Sequence, residues 1–172
     1  MKLADRIVAR ALSQVGYKEG ENNSSKYGTW YGMPNQSWCA MFVSWVFSCE
    51  DALGAVALHS HGYAYCPDLL AFAKKNHLLK SIRNITPGDV LLFCWDDSGV
   101  PEHTGIALSA YDPKSHMILT VEGNTGGNVQ GSQSNGDGVY KRFRPSSCVV
   151  GVVSLDLAVK YWNKHNPTKE IA

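Results

Sequence analysis

The sequence predicts an α+β fold, with helices in its first half packed on an antiparallel sheet built from its second half. Two observations carry this. Before residue 80 the apolar residues recur at helical spacing, as in Leu3, Ile7, Val8, Ala11, Leu12 and Val15. From Pro87 onward they fall in short runs bounded by turn residues, the mark of strands. Helices first and strands second, without alternation, argues against a parallel α/β sheet. A length of 172 residues, 44% of them hydrophobic and 18% charged, fits one domain with a substantial core.

The first helix starts at Leu3 and is expected to run to Gly16. Lys2, Asp5, Arg6 and Arg10 interrupt its apolar residues, so it does not read as a signal peptide. A polar loop follows, then the aromatic residues Tyr27, Trp30 and Tyr31, also expected in a loop. There they would either line a groove or plug the core. The second helix opens at Cys39 and is expected to continue to Gly54. Phe42, Val43, Val46 and Phe47 share one face while Trp45 and Cys49 lie off it, so this helix is apolar nearly all round and belongs inside. A third helix covers 67–75, with Pro67 in its first turn. His59 and His61 are spaced like a ligand pair but lack a carboxylate or thiol partner, and a solvated loop is expected.

Strands are expected at 89–95, 104–109, 117–122, 139–143 and 149–155. The long segment 123–138, rich in Gly, Asn, Ser and Gln, is expected to be a functional or mobile loop beside the substrate groove. After Leu155 a short helix and then a frayed tail are expected. The domain reading is therefore 1–155 for the functional unit and 156–172 for an extension.

Several function classes find no support. A net charge of +1 offers nothing for nucleic acid or for an anionic membrane surface. No run approaches the ~18 apolar residues of a membrane span. Five cysteines, without a C-x-x-C pair, read as free thiols made in a reducing compartment, with no metal.

One cysteine stands apart. A thiol at a helix start feels unpaired backbone N–H groups and the positive end of the dipole, which favour the thiolate nucleophile. Cys39 holds that position, whereas Cys49, Cys66, Cys94 and Cys148 read as inert filler. A base for it emerges from the hairpin around Asp112-Pro113-Lys114-Ser115, which fits a type I turn. With that four-residue loop, His103 lies opposite Asn124, and Gly105 opposite Glu122. With a two-residue loop, His103 faces Glu122 directly. Either register gives His103 an acceptor across the strand or on the diagonal. Gly105, Ala107 and Ser109 continue the His103 face with small side chains, where the Cys39 helix is expected to pack. That would assemble a nucleophile, a base and an orienting group.

Trp38-Cys39-Ala40-Met41-Phe42-Val43-Ser44-Trp45, Pro87-Gly88-Asp89-Val90, His103-Thr104-Gly105-Ile106 and Glu122-Gly123-Asn124 together resemble the CHAP family of cysteine, histidine-dependent amidohydrolases and peptidases, over Leu3 to Leu155. The resemblance implies a papain-like fold and cleavage of amide bonds in bacterial peptidoglycan. Cys39 would be the nucleophile, His103 the base, Glu122 the group orienting it, and Asn124 a further polar member. A thioester would form and then be hydrolysed. The Cys39 N–H would serve the oxyanion. Gln36 resembles the upstream glutamine of papain-like oxyanion holes, at a shorter spacing. Tyr27, Trp30, Tyr31, Trp38 and Gly123 are candidates for the substrate groove.

Some family members carry an Asp-rich calcium loop before the cysteine. Glu19, Glu21, Asn22 and Asn23 lack its alternating acids, so neither calcium nor another cofactor is expected. The expected protein is a monomer without a separate wall-binding domain, made in the cytoplasm without a Sec signal and acting at the cell wall. A phage endolysin or a secreted effector would fit. Two alternatives remain: an NlpC-type endopeptidase, whose Asp-Cys-Ser-Gly-Phe and second histidine differ from Trp-Cys-Ala-Met-Phe and Glu-Gly-Asn here, and a non-catalytic wall-binding module. Which peptidoglycan bond would be cut is not legible.

Overall fold

The computed structural model describes residues 1–126 and 136–172. Among the described residues five helices, α1 (Leu3–Leu12), α2 (Lys26–Tyr31), α3 (Cys39–Cys49), α4 (Cys66–Lys75) and α5 (Leu155–His165), contribute to the core on one face of a single sheet. Its strands are β1 (Val90–Phe93), β2 (His103–Ala107), β3 (Met117–Thr125), β4 (Gly138–Pro145) and β5 (Val149–Val153). They lie in the order β4-β3-β2-β1-β5, every neighbouring pair antiparallel. The expected α+β architecture is what the chain adopts.

Several boundaries move, each for a local reason. Helix α1 ends at Leu12 rather than Gly16, because Gly16 turns at φ 95° and donates to Val139 in β4. The aromatic stretch expected as a loop contains α2. Ser25 caps it by accepting from the Gly28 N–H, and Gly32 closes it in the left-handed region at φ 89°. Helix α3 stops at Cys49, short of Gly54. Asp51 takes φ 55°, and the Ala52 N–H reaches back to the Phe47 carbonyl at 2.9 Å, which ends the helix in a Schellman-like turn. The hairpin loop is 113–116, closed by an Asp112↔Met117 bridge, one residue beyond the expected turn. The register further along still pairs Ile106 with Val121 and Ala107 with Thr120, which is the alternative placing Gly105 opposite Glu122.

The main core lies between α3 and one face of the sheet, where Val90, Leu92, Ile106, Val121 and Val153 point. A smaller core on the opposite face gathers Leu91, Phe93, Ala107, Ile118 and Val152 under Ile85. The expectation that α3 packs on the Gly105–Ala107 face is therefore overturned. The branched residues Ile106 and Val121 need apolar cover, and the apolar helix supplies it. Its close approach is permitted by Gly123, where a Cβ would stand 2.6 Å from Cβ of Phe42 and 2.7 Å from the Trp38 ring. Gly105 has another task, since a Cβ there would collide with the Glu122 side chain at 2.5 Å.

The C-terminal segment is not frayed. Helix α5 is capped by Ser154 and sets Trp162 over Gly54. Ile171 is buried, and Asn163 holds it with two hydrogen bonds, donating to the Ile171 carbonyl at 3.0 Å and accepting from its N–H at 2.8 Å. The expected 123–138 loop begins only after β3 has run to Thr125, and residues 127–135 of it lie outside the described residues.

Candidate functional site

Cys39 is the first residue of α3 and His103 the first residue of β2, so both stand where an element begins. Cys39 is buried, with 7% of the residue exposed, and His103 is wholly buried. Nε2 of His103 lies 2.8 Å from Oε2 of Glu122 on β3. The other ring nitrogen, Nδ1, is buried without a hydrogen-bond partner among the described residues.

Glu122 is itself fully buried and saturated with donors. Thr120 donates its hydroxyl to Oε1 at 2.6 Å. Arg144 on β4 grips both oxygens, Nε to Oε1 at 2.8 Å and Nη2 to Oε2 at 2.5 Å, the bidentate fork that fixes a carboxylate plane. The Arg144 guanidinium lies over Trp95 at 5.0 Å and Phe93 at 5.6 Å, and the same two rings flank His103. Aromatic ring faces thus flank both the guanidinium and the imidazole, and the Glu122 carboxylate lies between the two.

The electrostatics follow from this packing. Burial would push Glu122 up, but the Arg144 fork and His103 outweigh it and bring the carboxyl down to about 2. Burial likewise opposes a charge on His103. The Cys39 sulfur and Glu122 overcome it, and the imidazole rises to about 9. Cys39 is held well below an ordinary thiol by a hydrogen bond from Cys66, against burial and with further help from His103. A thiolate beside an imidazolium is the state these groups favour.

The sulfur opens onto a cleft of about 510 Å³, within the size range of small-molecule sites. Three segments line it: Ser37 and Cys39, the stretch Ala64 to Pro67, and the stretch from Asp96 to Glu102.

The fold is shared with an endolysin. The crystal structure of the wild-type endolysin LysIME-EF1 matches with a TM-score of 0.57 at 19% identity, over 89% of this chain and 63% of that one. Structures of Ly7917, alone and with the hydrolyzing product of MDP, match with a TM-score of 0.48 at 13% identity, over 88% of this chain and 61% and 62% of theirs. This chain thus spans less than two thirds of the length of the endolysin whose fold it shares. No protein-family model and no curated protein sequence matches the chain.

On this endolysin-like scaffold Cys39, His103 and Glu122 come together. Asn124 is buried on β3 at φ 52°, within the register break that separates Glu122 from Thr125. Gln36 is exposed and does not line the cleft, whereas its neighbour Ser37 does. The expected aromatic groove is corrected. Tyr27 and Trp38 are fully buried and stack on each other at 5.1 Å, Gly123 is covered by Phe42 and Trp38, and Trp30 and Tyr31 gather round His61 away from the lining residues. Tyr27 and Trp38 serve the core, and Tyr31 packs against its edge. Glu19 accepts from the Trp38 indole at 2.5 Å, so it is engaged with the core rather than with a cation loop. Among the described residues no group of three or more His, Cys, Asp or Glu is placed to hold a metal, and no helix is long and apolar enough to cross a membrane.

Arg144 and Thr120, which hold Glu122, and the cleft-lining Asp96 and Glu102 were missed in the sequence. A usable signal existed for Arg144. A glutamate expected inside a sheet needs a cation, and Arg142 and Arg144 lie on the strand that pairs with it.

Proposed function

We propose that the chain is a cysteine hydrolase that cuts an amide or peptide bond of bacterial peptidoglycan, in the manner of the CHAP family. The observation that carries the reading is the buried series Cys39, His103, Glu122 opening onto a cleft. The fold held in common with an endolysin supports the cell wall as the place of action.

In this reading the Cys39 thiolate attacks the scissile carbonyl carbon. Charge moves to the carbonyl oxygen, for which the Cys39 N–H at the start of α3 is a donor. His103 gives its proton to the leaving nitrogen, and a thioester remains. Water, deprotonated by His103, attacks the thioester and restores the thiolate and the imidazolium. Glu122 keeps the ring oriented and balances its charge throughout. Asn124 is the further polar member at the bulge. A carboxylate as third group, in place of a second histidine, favours this reading over the NlpC-type alternative.

Release of soluble fragments from purified peptidoglycan tests the proposal. Cys39→Ala and His103→Ala, with folds verified by circular dichroism, are each expected to lower turnover by about 10³-fold or more. Retained lysis by Cys39→Ala would refute it. The competing non-catalytic wall-binding module predicts slow, uniform alkylation of all five cysteines by iodoacetamide, whereas the hydrolase predicts that Cys39 reacts first and at acidic pH. Mass spectrometry of the released muropeptides identifies the bond.

A further inference from the structure

Glu122 holds His103, and Arg144 holds Glu122. Arg144 is buried on β4, where it stands opposite Ile118 rather than opposite Glu122, and its long side chain reaches along the sheet to the carboxylate. Oε2 of Glu122 is shared between Nη2 of Arg144 at 2.5 Å and Nε2 of His103 at 2.8 Å. Oε1 is shared between Nε of Arg144 at 2.8 Å and the Thr120 hydroxyl at 2.6 Å. These donors take up about as many bonds as a carboxylate can accept. Arg142, the neighbouring cation on β4, donates instead to the Gly126 carbonyl at 2.7 Å.

The Arg144 charge matters most at the step where His103 has none. In the mechanism above the imidazolium gives its proton to the leaving nitrogen, and the neutral ring must then accept a proton from water. During that interval Glu122 has lost the counter-charge of the ring. A buried carboxylate without a cation takes up a proton from solvent. Protonated, Glu122 would donate to Nε2 instead of accepting from it, and the one proton of the neutral ring would move to Nδ1. Nδ1 would then have no lone pair for the water. Nε2 is committed to Glu122 and Nδ1 is buried without a hydrogen-bond partner among the described residues, so the base must be Nδ1. An arginine keeps its charge at any working pH, and its fork grips both oxygens at once.

We propose that Arg144 is a positioning residue of the hydrolase, keeping Glu122 a carboxylate of fixed plane while His103 is neutral and so holding the ring as the Nε2–H tautomer. The inference rests on the reading of Cys39 as nucleophile and His103 as base. It gives the buried fork a use beyond holding β3 to β4.

Two measurements test it. The first is the ring tautomer, read from ¹⁵N spectra of the full chain in a Cys39→Ala background, just above the pH at which the ring of each protein titrates. A His103→Gln control assigns the signal among the six histidines. The proton is expected on Nε2 with Arg144 present and on Nδ1 in Arg144→Met. The second is turnover of soluble muropeptides with Cys39 intact. Arg144→Met should lower kcat about 10–100-fold with KM within about twofold, the loss typical where the group behind a metal-bound histidine is removed. Arg144→Lys serves if the methionine variant does not fold. One ammonium cannot grip both oxygens as the fork does, so its kcat should fall about tenfold at a similar KM. An Nε2–H ring in Arg144→Met overturns the proposal. So does a parent-like kcat in Arg144→Lys, or a loss carried by KM alone in either variant. If the parent chain releases nothing from peptidoglycan, the hydrolase reading fails by itself, and the tautomer still decides whether Arg144 sets the ring.

Discussion

The carboxyl of Glu122 offers the sharpest test of how the site is held together. In the folded chain it sits at about 2, against an ordinary value of 4.5. A folded value below the unfolded one means that the carboxylate stabilises the fold above pH 4.5, and that this stability is lost as pH falls toward 2. The gap corresponds to about 3 kcal/mol. Glu122→Gln keeps the shape but removes the charge, leaving Arg144 buried against a neutral amide. Breaking a buried pair in this way costs about 3–5 kcal/mol, a large share of the 5–15 kcal/mol typical of a whole domain. The two estimates describe the same charge, so the cost of the substitution must shrink with acid. Urea unfolding at pH 6, 4.5 and 3 should show the variant less stable by about 3 kcal/mol at pH 6, with the difference narrowing at pH 3 as the parent carboxyl loses its advantage. The comparison cancels every other carboxylate in the chain. A difference that stays constant from pH 6 to pH 3 would refute the claim that the Glu122 charge, rather than its shape, binds β2, β3 and β4 at the site.

Three further outcomes are expected. Gly123→Ala should destabilise the fold by about 1–3 kcal/mol in urea, because its Cβ would press on Phe42 and Trp38 with no space to yield. Asn163→Ala should cost about 1 kcal/mol and open the C-terminus to carboxypeptidase, since both of its bonds to Ile171 are lost. The third concerns His103 and Cys39 together. The His103 contribution is complete below pH 6.5 and is lost as pH rises to about 9, while the depressed Cys39 contributes in the opposite sense up to pH 9, so the two offset each other between pH 6.5 and 9. Cys39→Ala removes the offset. The unfolding free energy of this variant should therefore fall, relative to the parent, as pH rises through that range, by at most about 1.4 kcal/mol per pH unit and by less to the extent that loss of the sulfur lets His103 return toward its ordinary value; a variant that gains on the parent as pH rises would count against a thiolate–imidazolium pair.

Much of the site was legible because it rests on short-range rules. The apolar run after Cys39 marked a buried helix, and side-chain alternation across one hairpin brought His103 and Glu122 within reach whichever register held. The side of the sheet on which α3 packs was not legible. Small residues at Gly105 and Ala107 suggested a seat for the helix, whereas Gly105 makes room for Glu122 and the close approach is granted by Gly123. Strand β4 reads inside-out. Phe143 is 68% exposed while Arg142 and Arg144 are buried, because the demand of Glu122 for a cation overrides hydrophobic alternation. Helix α2 was hidden by a glycine and aromatic residues of middling helix propensity, and its existence depends on the Ser25 and Gly32 caps.

The order of the strands is also the order of the charges. Arg144 comes from β4, Glu122 from β3 and His103 from β2, three neighbours in the sheet, and Cys39 from the tip of the helix that covers it. Along that line the signs alternate: guanidinium, carboxylate, imidazolium, thiolate. Each interior charge has an opposite charge on either side, and the four sum to zero. A single ion moved into such a setting would cost several kcal/mol, and the usual response of a buried group is to give up its charge. Here neutralising any one member strands its neighbours, so the alternation keeps all four ionised. Hydrogen bonding between adjacent strands sets the spacing from Arg144 to His103, and the apolar packing of α3 on Ile106, Val121 and Gly123 sets the distance from His103 to the sulfur. In the proposed mechanism the ionisation of Cys39 is therefore a consequence of sheet register and helix packing. A substitution anywhere along β2, β3 or β4 that shifts the register would act on the thiol without touching it.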